Sequence, residues 1–386
     1  MSDNKELLYL AACAINGIKP DEYIYAKENS EILFKTARRH GIAALVAYAL
    51  EKNEYKGIDL TTASAFRTEK DKSVRKIMLF DVERKVILDF FEKEGIRYLP
   101  LKGIILQELY PEYGMRQMAD NDILYDVKGQ KKLKDFMVSR GFTAKGVGVG
   151  VHDCYYKEPV YNFEMHTKLF DQSLHGGVIG DYYADVWDWA MPDEGKRFGY
   201  HMKYEDFYIY VLAHAGKHHN GSGTGIRTLV DILVMDRAFK TFDRSYVETE
   251  LDKLGIKTLE EKLHNLSVKL LSDPDKTYDA FNGLTDDERQ EMDYILSSGT
   301  YGTLENGVKN RMIKEIGVGP VTKKVRLKYY FKRIFPNQET MVPYFPPAKY
   351  KPLIPFVWIF RILRGMTTRR KKALNEFKIV EKQKEL

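Results

Sequence analysis

Cysteine is nearly missing from this chain: Cys13 and Cys154 are the only two in 386 residues. A pair so widely spaced offers neither a disulfide framework nor a Cys-x-x-Cys metal site, which points to a reducing, cytoplasmic compartment. Long apolar runs are also lacking. The densest, residues 353–360, is far shorter than the roughly 20 residues a membrane-spanning helix needs, so no transmembrane segment is expected. Residues 1–17 carry acid before any apolar stretch and no basic leader, unlike a signal peptide. Five of the 13 prolines cluster late, at Pro343, Pro346, Pro347, Pro352 and Pro355. No internal repeat is present, and no RRM, KH, OB-fold or zinc-finger pattern. What remains is globular in composition, 44% hydrophobic and 30% charged, with length for two or three domains.

The net charge of +6 conceals an asymmetry. Residues 321–386 carry 17 Lys and Arg against four Asp and Glu, whereas the rest of the chain is mildly acidic. A basic end of this kind reads first as a solvated helix, and otherwise as a contact for phosphate-rich partners or an anionic membrane surface. The aromatic run around Phe356, Trp358 and Phe360 is read as docking onto the body in preference to an interfacial helix.

Periodicity divides the chain. Residues 31–53 and 61–94 have apolar residues at helical spacing, with Gly95 as a C-cap. Short strands follow at 97–101 and 121–126, a helix at 131–140, then strands at 142–148, 152–158 and 161–170, the last two a hairpin around Pro159. From 181 onward the pattern is helical again, with helices at 204–219, 226–239, 244–254, 259–271 and 286–297.

Chemistry concentrates in LPLKGIILQELYPEYGMRQMADNDILYD. Gly103 lies between a strand and a short helix, where a phosphate could approach backbone N–H groups. Asp120 and Asp122 lead into the next strand, two apart and therefore on one face. Paired carboxylates held this way can share divalent ions, and Glu164, in YNFEMH, is placed to supply the third. Such a set suits in-line displacement at a nucleotide α-phosphate, with two Mg²⁺ ions (or Mn²⁺) as cofactors. Glu164 is also a candidate to take the proton of an acceptor hydroxyl. Lys102 reads as a phosphate contact or a solvated lysine. Arg116 reads as a bidentate ligand of the β- and γ-phosphates, or a loop arginine paired with Glu112. His166, on the face of Glu164, reads as a base contact or a half-buried structural histidine.

The joint spacing of these pieces resembles the uncharacterised nucleotidyltransferase family within the DNA polymerase β-like superfamily. Lys102-Gly103, Tyr110, Arg116 and Asp120-x-Asp122 match its first signature. Phe163-Glu164-Met165-His166 is similar to its Glu-x-His strand, and His214-Ala215-Gly216-Lys217-His218 followed by Leu229-Val230-Asp231-Ile232 to its helical pair. Asn121 stands where an aliphatic residue is usual. The likeness spans roughly residues 30–365. It implies an α+β fold, a small mixed-sheet α/β core flanked by N-terminal and C-terminal helical regions. The division it suggests is a helical region at 1–95, the nucleotidyltransferase core at 96–175, a helical domain completing the cleft at 176–320 and a basic region at 321–386. It also implies an NTP substrate, and His214 and Lys217 lining the cleft. His214 and His218, four apart on a helix, lack further zinc ligands. Arg227 and Asp231 read as a local ion pair, with Asp231 as an acceptor-side base the lesser alternative.

The leading reading is a metal-dependent enzyme that passes a nucleoside monophosphate from an NTP to an acceptor, a small molecule, protein or RNA end, and releases pyrophosphate. The alternatives are a nucleotide-binding scaffold of the same fold without turnover, and an RNA-binding protein.

Overall fold

The computed structural model describes residues 3–26, 29–171, 177–342, 345–367 and 370–385. Pro343 and the boundary drawn at 175/176 lie outside them. Five strands form a mixed sheet: β1 (Tyr98–Pro100), β2 (Asn121–Tyr125), β3 (Thr143–Lys145), β4 (His152–Lys157) and β5 (Tyr161–His166), in the spatial order β1-β2-β5-β4-β3. β2 and β5 run parallel, and every other pairing is antiparallel. The fold is α+β, as the resemblance implied. The strands are shorter than the sequence suggested, and β5 ends at His166 rather than 170.

Alternation along the strands gives the sheet two different faces. Ile123, Tyr125, Phe163, Met165 and Tyr155 point into an apolar layer shared with the helix Gln130–Ser139 and the C-terminal half of the helix Leu60–Glu94. Leu99, Leu101 and Leu124 point the other way, into a larger cluster. The helix Leu60–Glu94 joins both layers, with Phe66 in the larger one and Phe80, Ile87 and Phe91 under the sheet. It starts where the Asp59 carboxylate accepts from the Thr62 N–H at 2.9 Å and ends at Gly95, whose φ of +71° suits a residue without Cβ.

The larger cluster joins segments distant in sequence. The helix Asp3–Asn16 packs against Lys257–Leu271, and Asn16 Nδ2 donates to the Leu271 carbonyl at 2.9 Å. The single helix expected over 31–53 is two, Ser30–Arg39 and Ala43–Lys52, because the chain turns at Gly41 with φ +63°. Helices Tyr204–His219 and Ile226–Ala238 share the larger cluster with Leu99 and Leu124 from the second face of the sheet.

Helices Lys323–Ile334, Ile354–Thr367 and Arg370–Lys382 carry the basic region, and Leu304–Ile316 packs against the first and last of them. Glu376, buried among them, accepts from Arg311, Arg333 and Tyr329. Docking of the aromatic run holds for Trp358, whose Nε1 donates to the Pro336 carbonyl at 3.1 Å. It does not hold for Phe356 and Phe360, which are 68% and 57% exposed. Among the described residues no helix is long and apolar enough to cross a membrane.

Candidate active site

Parallel pairing of β2 with β5 sets Asp122 directly opposite Glu164. His166 follows on the same face, and its Nε2 donates to Asp122 Oδ1 at 2.7 Å. Ligand atoms of Asp122, Glu164 and His166 lie within 4.8 Å of one another. Asp120, two residues before Asp122, is half-buried and forms no hydrogen bond or ion pair among the described residues. Asn121 turns to the opposite face, where its Oδ1 accepts from Arg84 Nη1 at 2.9 Å, which explains a polar residue between the two aspartates.

Lys102 crosses this group. Its Nζ donates to Asp122 Oδ1 at 3.0 Å and to His214 Nε2 at 3.2 Å, so the His214 proton sits on Nδ1. Lys102 is thus neither solvated nor free. Its backbone has φ +37° and ψ −107°, a strained conformation for a residue with a Cβ, held by the two side-chain bonds. The strained backbone of this turn thus lies at Lys102 and not at Gly103. Gly103 is needed for another reason: a Cβ there would meet Met118 Sδ at 2.9 Å and Arg116 Nη1 at 3.0 Å. The helix it opens, Gly103–Leu106, is a single turn, so little helix dipole supports the phosphate approach once expected there.

Arg116 is buried, and its Nε and Nη2 donate to the two oxygens of Asp231 at 2.8 and 3.0 Å. Tyr110 adds its hydroxyl to Asp231 Oδ1 at 2.7 Å. The fork thus grips Asp231 and not Glu112, and three hydrogen bonds engage that carboxylate. The local Arg227–Asp231 pair is absent for the same reason: Arg116, distant in sequence, takes the carboxylate. Arg227 keeps one hydrogen bond, to the Gln117 carbonyl at 3.2 Å, and burial and the like charge of Arg116 lower its pKa. Lys217, on the helix over the sheet face, forms no hydrogen bond or ion pair among the described residues, and burial and the Lys102 charge lower its pKa as well. The rings of His214 and His218 stand 4.6 Å apart, and no metal-ligand cluster among the described residues contains either.

Other neighbours escaped the sequence. β4 pairs Cys154 with Glu164 and His152 with His166, so both side chains join the acidic face, with His152 Nε2 3.6 Å from Glu164 Oε2. Lys76 donates to the Ala119 carbonyl at 2.9 Å. Tyr210 is buried, with its hydroxyl unpartnered among the described residues. Strand register would have supplied the first two; nothing local marks the others.

Charge is crowded here. Burial raises the Asp122 carboxyl, but Lys102 and the His166 hydrogen bond outweigh it and hold it well below its ordinary value. Burial and then the Asp122 charge push Asp120 upward. Burial, then Asp122 and Asp120, push Glu164 up to about 7. An unpaired aspartate, a hindered glutamate and a nearby imidazole fit a hard divalent cation; oxygen donors suit Mg²⁺, and the His166 nitrogen also suits Mn²⁺.

A pH effect follows. The ordinary glutamate value is 4.5, and the folded value is about 7. The stability contributed by protonated Glu164 is complete below the lower value and is lost as pH rises through the upper one. The melting temperature without added metal should therefore carry a downward component between about pH 5 and pH 8 that Glu164→Gln removes. Stabilisation by Mg²⁺ should grow over the same interval, because the cation displaces a proton. Scanning fluorimetry at stepped pH measures both, and identical profiles for the two proteins would refute the assignment.

A sequence model of a family described as "Uncharacterised nucleotidyltransferase" matches residues 26–272, well over half of the chain. No curated protein and no solved structure matches it.

Proposed function

Because the chain belongs to the uncharacterised nucleotidyltransferase family, we propose that it transfers a nucleoside monophosphate from an NTP to an acceptor hydroxyl with release of pyrophosphate. The observation that supports this reading is the register of β2 with β5, which puts Asp122 against Glu164, with Asp120 close enough to feel the Asp122 charge.

Asp120, Asp122 and Glu164 would hold the ions. Two bound Mg²⁺ would supply charge neutralisation for the entering and leaving oxygens. The protein's own groups do the rest. Arg227 and Lys217, short of anionic partners, attract the triphosphate, and Lys102 holds the Asp122 carboxylate in place. His214, kept neutral by burial and the adjacent Lys102, leaves the Lys102 proton undisturbed. Glu164, deprotonated once a cation is bound beside it, accepts the proton of the acceptor hydroxyl. The new bond joins the acceptor oxygen to the α-phosphorus, and the bond to the bridging oxygen breaks, so pyrophosphate leaves.

Release of pyrophosphate from NTPs with Mg²⁺ or Mn²⁺, over a panel of hydroxylated small molecules, proteins and RNA ends, tests the reading. Turnover no greater than that of Asp120→Asn would overturn it. NTP–Mg²⁺ stabilisation without turnover would mark the scaffold alternative. Arg227→Met is expected to raise KM for the NTP about 10- to 100-fold with kcat little changed, as loss of charge-assisted contacts common to bound and transition states does. Steady-state kinetics at varied NTP measures the split, and an unchanged KM would remove Arg227 from the phosphate site.

A further inference from the structure

The basic C-terminal helices expose an apolar surface that neither the proposed chemistry nor the fold uses. On the helix Ile354–Thr367, Phe356, Ile359, Phe360 and Leu363 are all more than half exposed and recur at helical spacing, which makes one continuous stripe. The opposite side of this helix is fastened. Val357 is buried, Trp358 donates to Pro336, and Arg361 donates to the carbonyls of Ile334 and Arg333 at 3.0 Å each. The stripe therefore faces outward on a fixed support.

A second stripe adjoins it. Leu327, Phe331 and Ile334 are exposed on the helix Lys323–Ile334, 68%, 65% and 42% respectively. Phe335 links the two, with its ring 5.2 Å from Phe331 and 5.2 Å from Trp358. Beside these stripes, Lys323, Lys324, Lys328, Lys371 and Lys372 are exposed and form no ion pair among the described residues.

We propose that this surface seats the protein on an anionic phospholipid membrane, with the Phe356–Leu363 stripe entering the interface and the lysines meeting the headgroups. Charge selects this occupant. Residues 321–386 carry a net +13, so two copies meeting through this face would repel. The stripe is phenylalanine and aliphatic carbon without hydrogen-bonding groups, which suits acyl chains rather than nucleotide bases. An apolar face and a polybasic patch together supply the two signals that stable peripheral attachment requires.

Flotation of the full-length protein with vesicles of equal phosphatidylglycerol and phosphatidylcholine tests the proposal, with pure phosphatidylcholine vesicles as the comparison. Binding to the anionic vesicles should exceed binding to the neutral ones at least tenfold and weaken steeply in 0.5 M salt, since each lysine beside an anionic leaflet is worth about fivefold. Phe356→Asp with Phe360→Asp should lower the bound fraction at least tenfold while leaving the melting temperature within about 1 °C, because both side chains are exposed. Lys371→Glu with Lys372→Glu should remove most of the anionic preference. No binding, equal binding to both vesicle types, or double-aspartate binding equal to wild type would overturn the proposal. So would a salt-resistant dimer that the double aspartate dissociates, or RNA binding with indifference to vesicles.

Discussion

Asparagine at Asp122 is expected to slow nucleotidyl transfer by at least about 10³-fold, the scale on which removing a charge aimed at the reacting centre acts. Asparagine at Asp120 should cost about as much, yet the two variants should separate on stability. Asp122 receives Lys102 and His166, and its side chain is only 4% exposed. Removing its charge strands a buried ammonium, which costs about 3–5 kcal/mol. Asp120 has no such partner and is pushed toward protonation by burial and by Asp122. Its neutral replacement relieves repulsion, so the melting temperature without metal should hold or rise. Labelled product from an α-labelled NTP gives the rates, and urea unfolding gives the stabilities. Equal rates for Asp120→Asn and wild type would end the catalytic assignment. Stabilisation of both variants would show that Lys102 does not depend on Asp122.

The second large effect is structural. Alanine at Asp231 should destabilise the protein by about 3–5 kcal/mol, because the Arg116 guanidinium and the Tyr110 hydroxyl would remain buried without their acceptor. Arg116→Met combined with Asp231→Leu should cost much less than the sum of the single changes, since it removes both charges together. Denaturant midpoints for the two single variants and the double variant test this, and additive losses would mean that the pair is not coupled. The fork also sets Arg116 against Gly103, so Asp231→Ala should loosen the strand-to-helix turn beside the carboxylates.

The acidic centre was legible because strand alternation is strictly local. Alternation matched Asp122 to Glu164 once the second strand was recognised, whereas Asp120 lies one residue before β2 and outside the Asp122, Glu164 and His166 cluster. What stayed hidden depended on contacts between distant segments. Asp231 has Arg227 one helical turn away, but Arg116, 115 residues off, reaches it with better fork geometry. Lys102, read as a phosphate contact or a solvated side chain, has positive φ and bonds across to Asp122 and His214, both distant in sequence. The break at Gly41 lay within an unbroken apolar pattern, which periodicity reads as one helix. Family resemblance grouped His214 and Lys217 with the carboxylates, and His214 does accept from Lys102, although neither has a local pattern distinguishing it from a helix–helix contact.

The pairing of Asp3–Asn16 with Lys257–Leu271 bears on biogenesis. Asn16 and Leu271 are 255 residues apart, so a ribosome adding about 5–20 residues per second separates their synthesis by roughly 10–50 s. Throughout that delay Leu7, Leu8 and Leu10, wholly buried in the finished protein, have only the early helices Ser30–Arg39 and Ala43–Lys52 to pack on. The larger core can therefore begin from the N-terminal helices but closes only after the segment bearing Leu271 has been made.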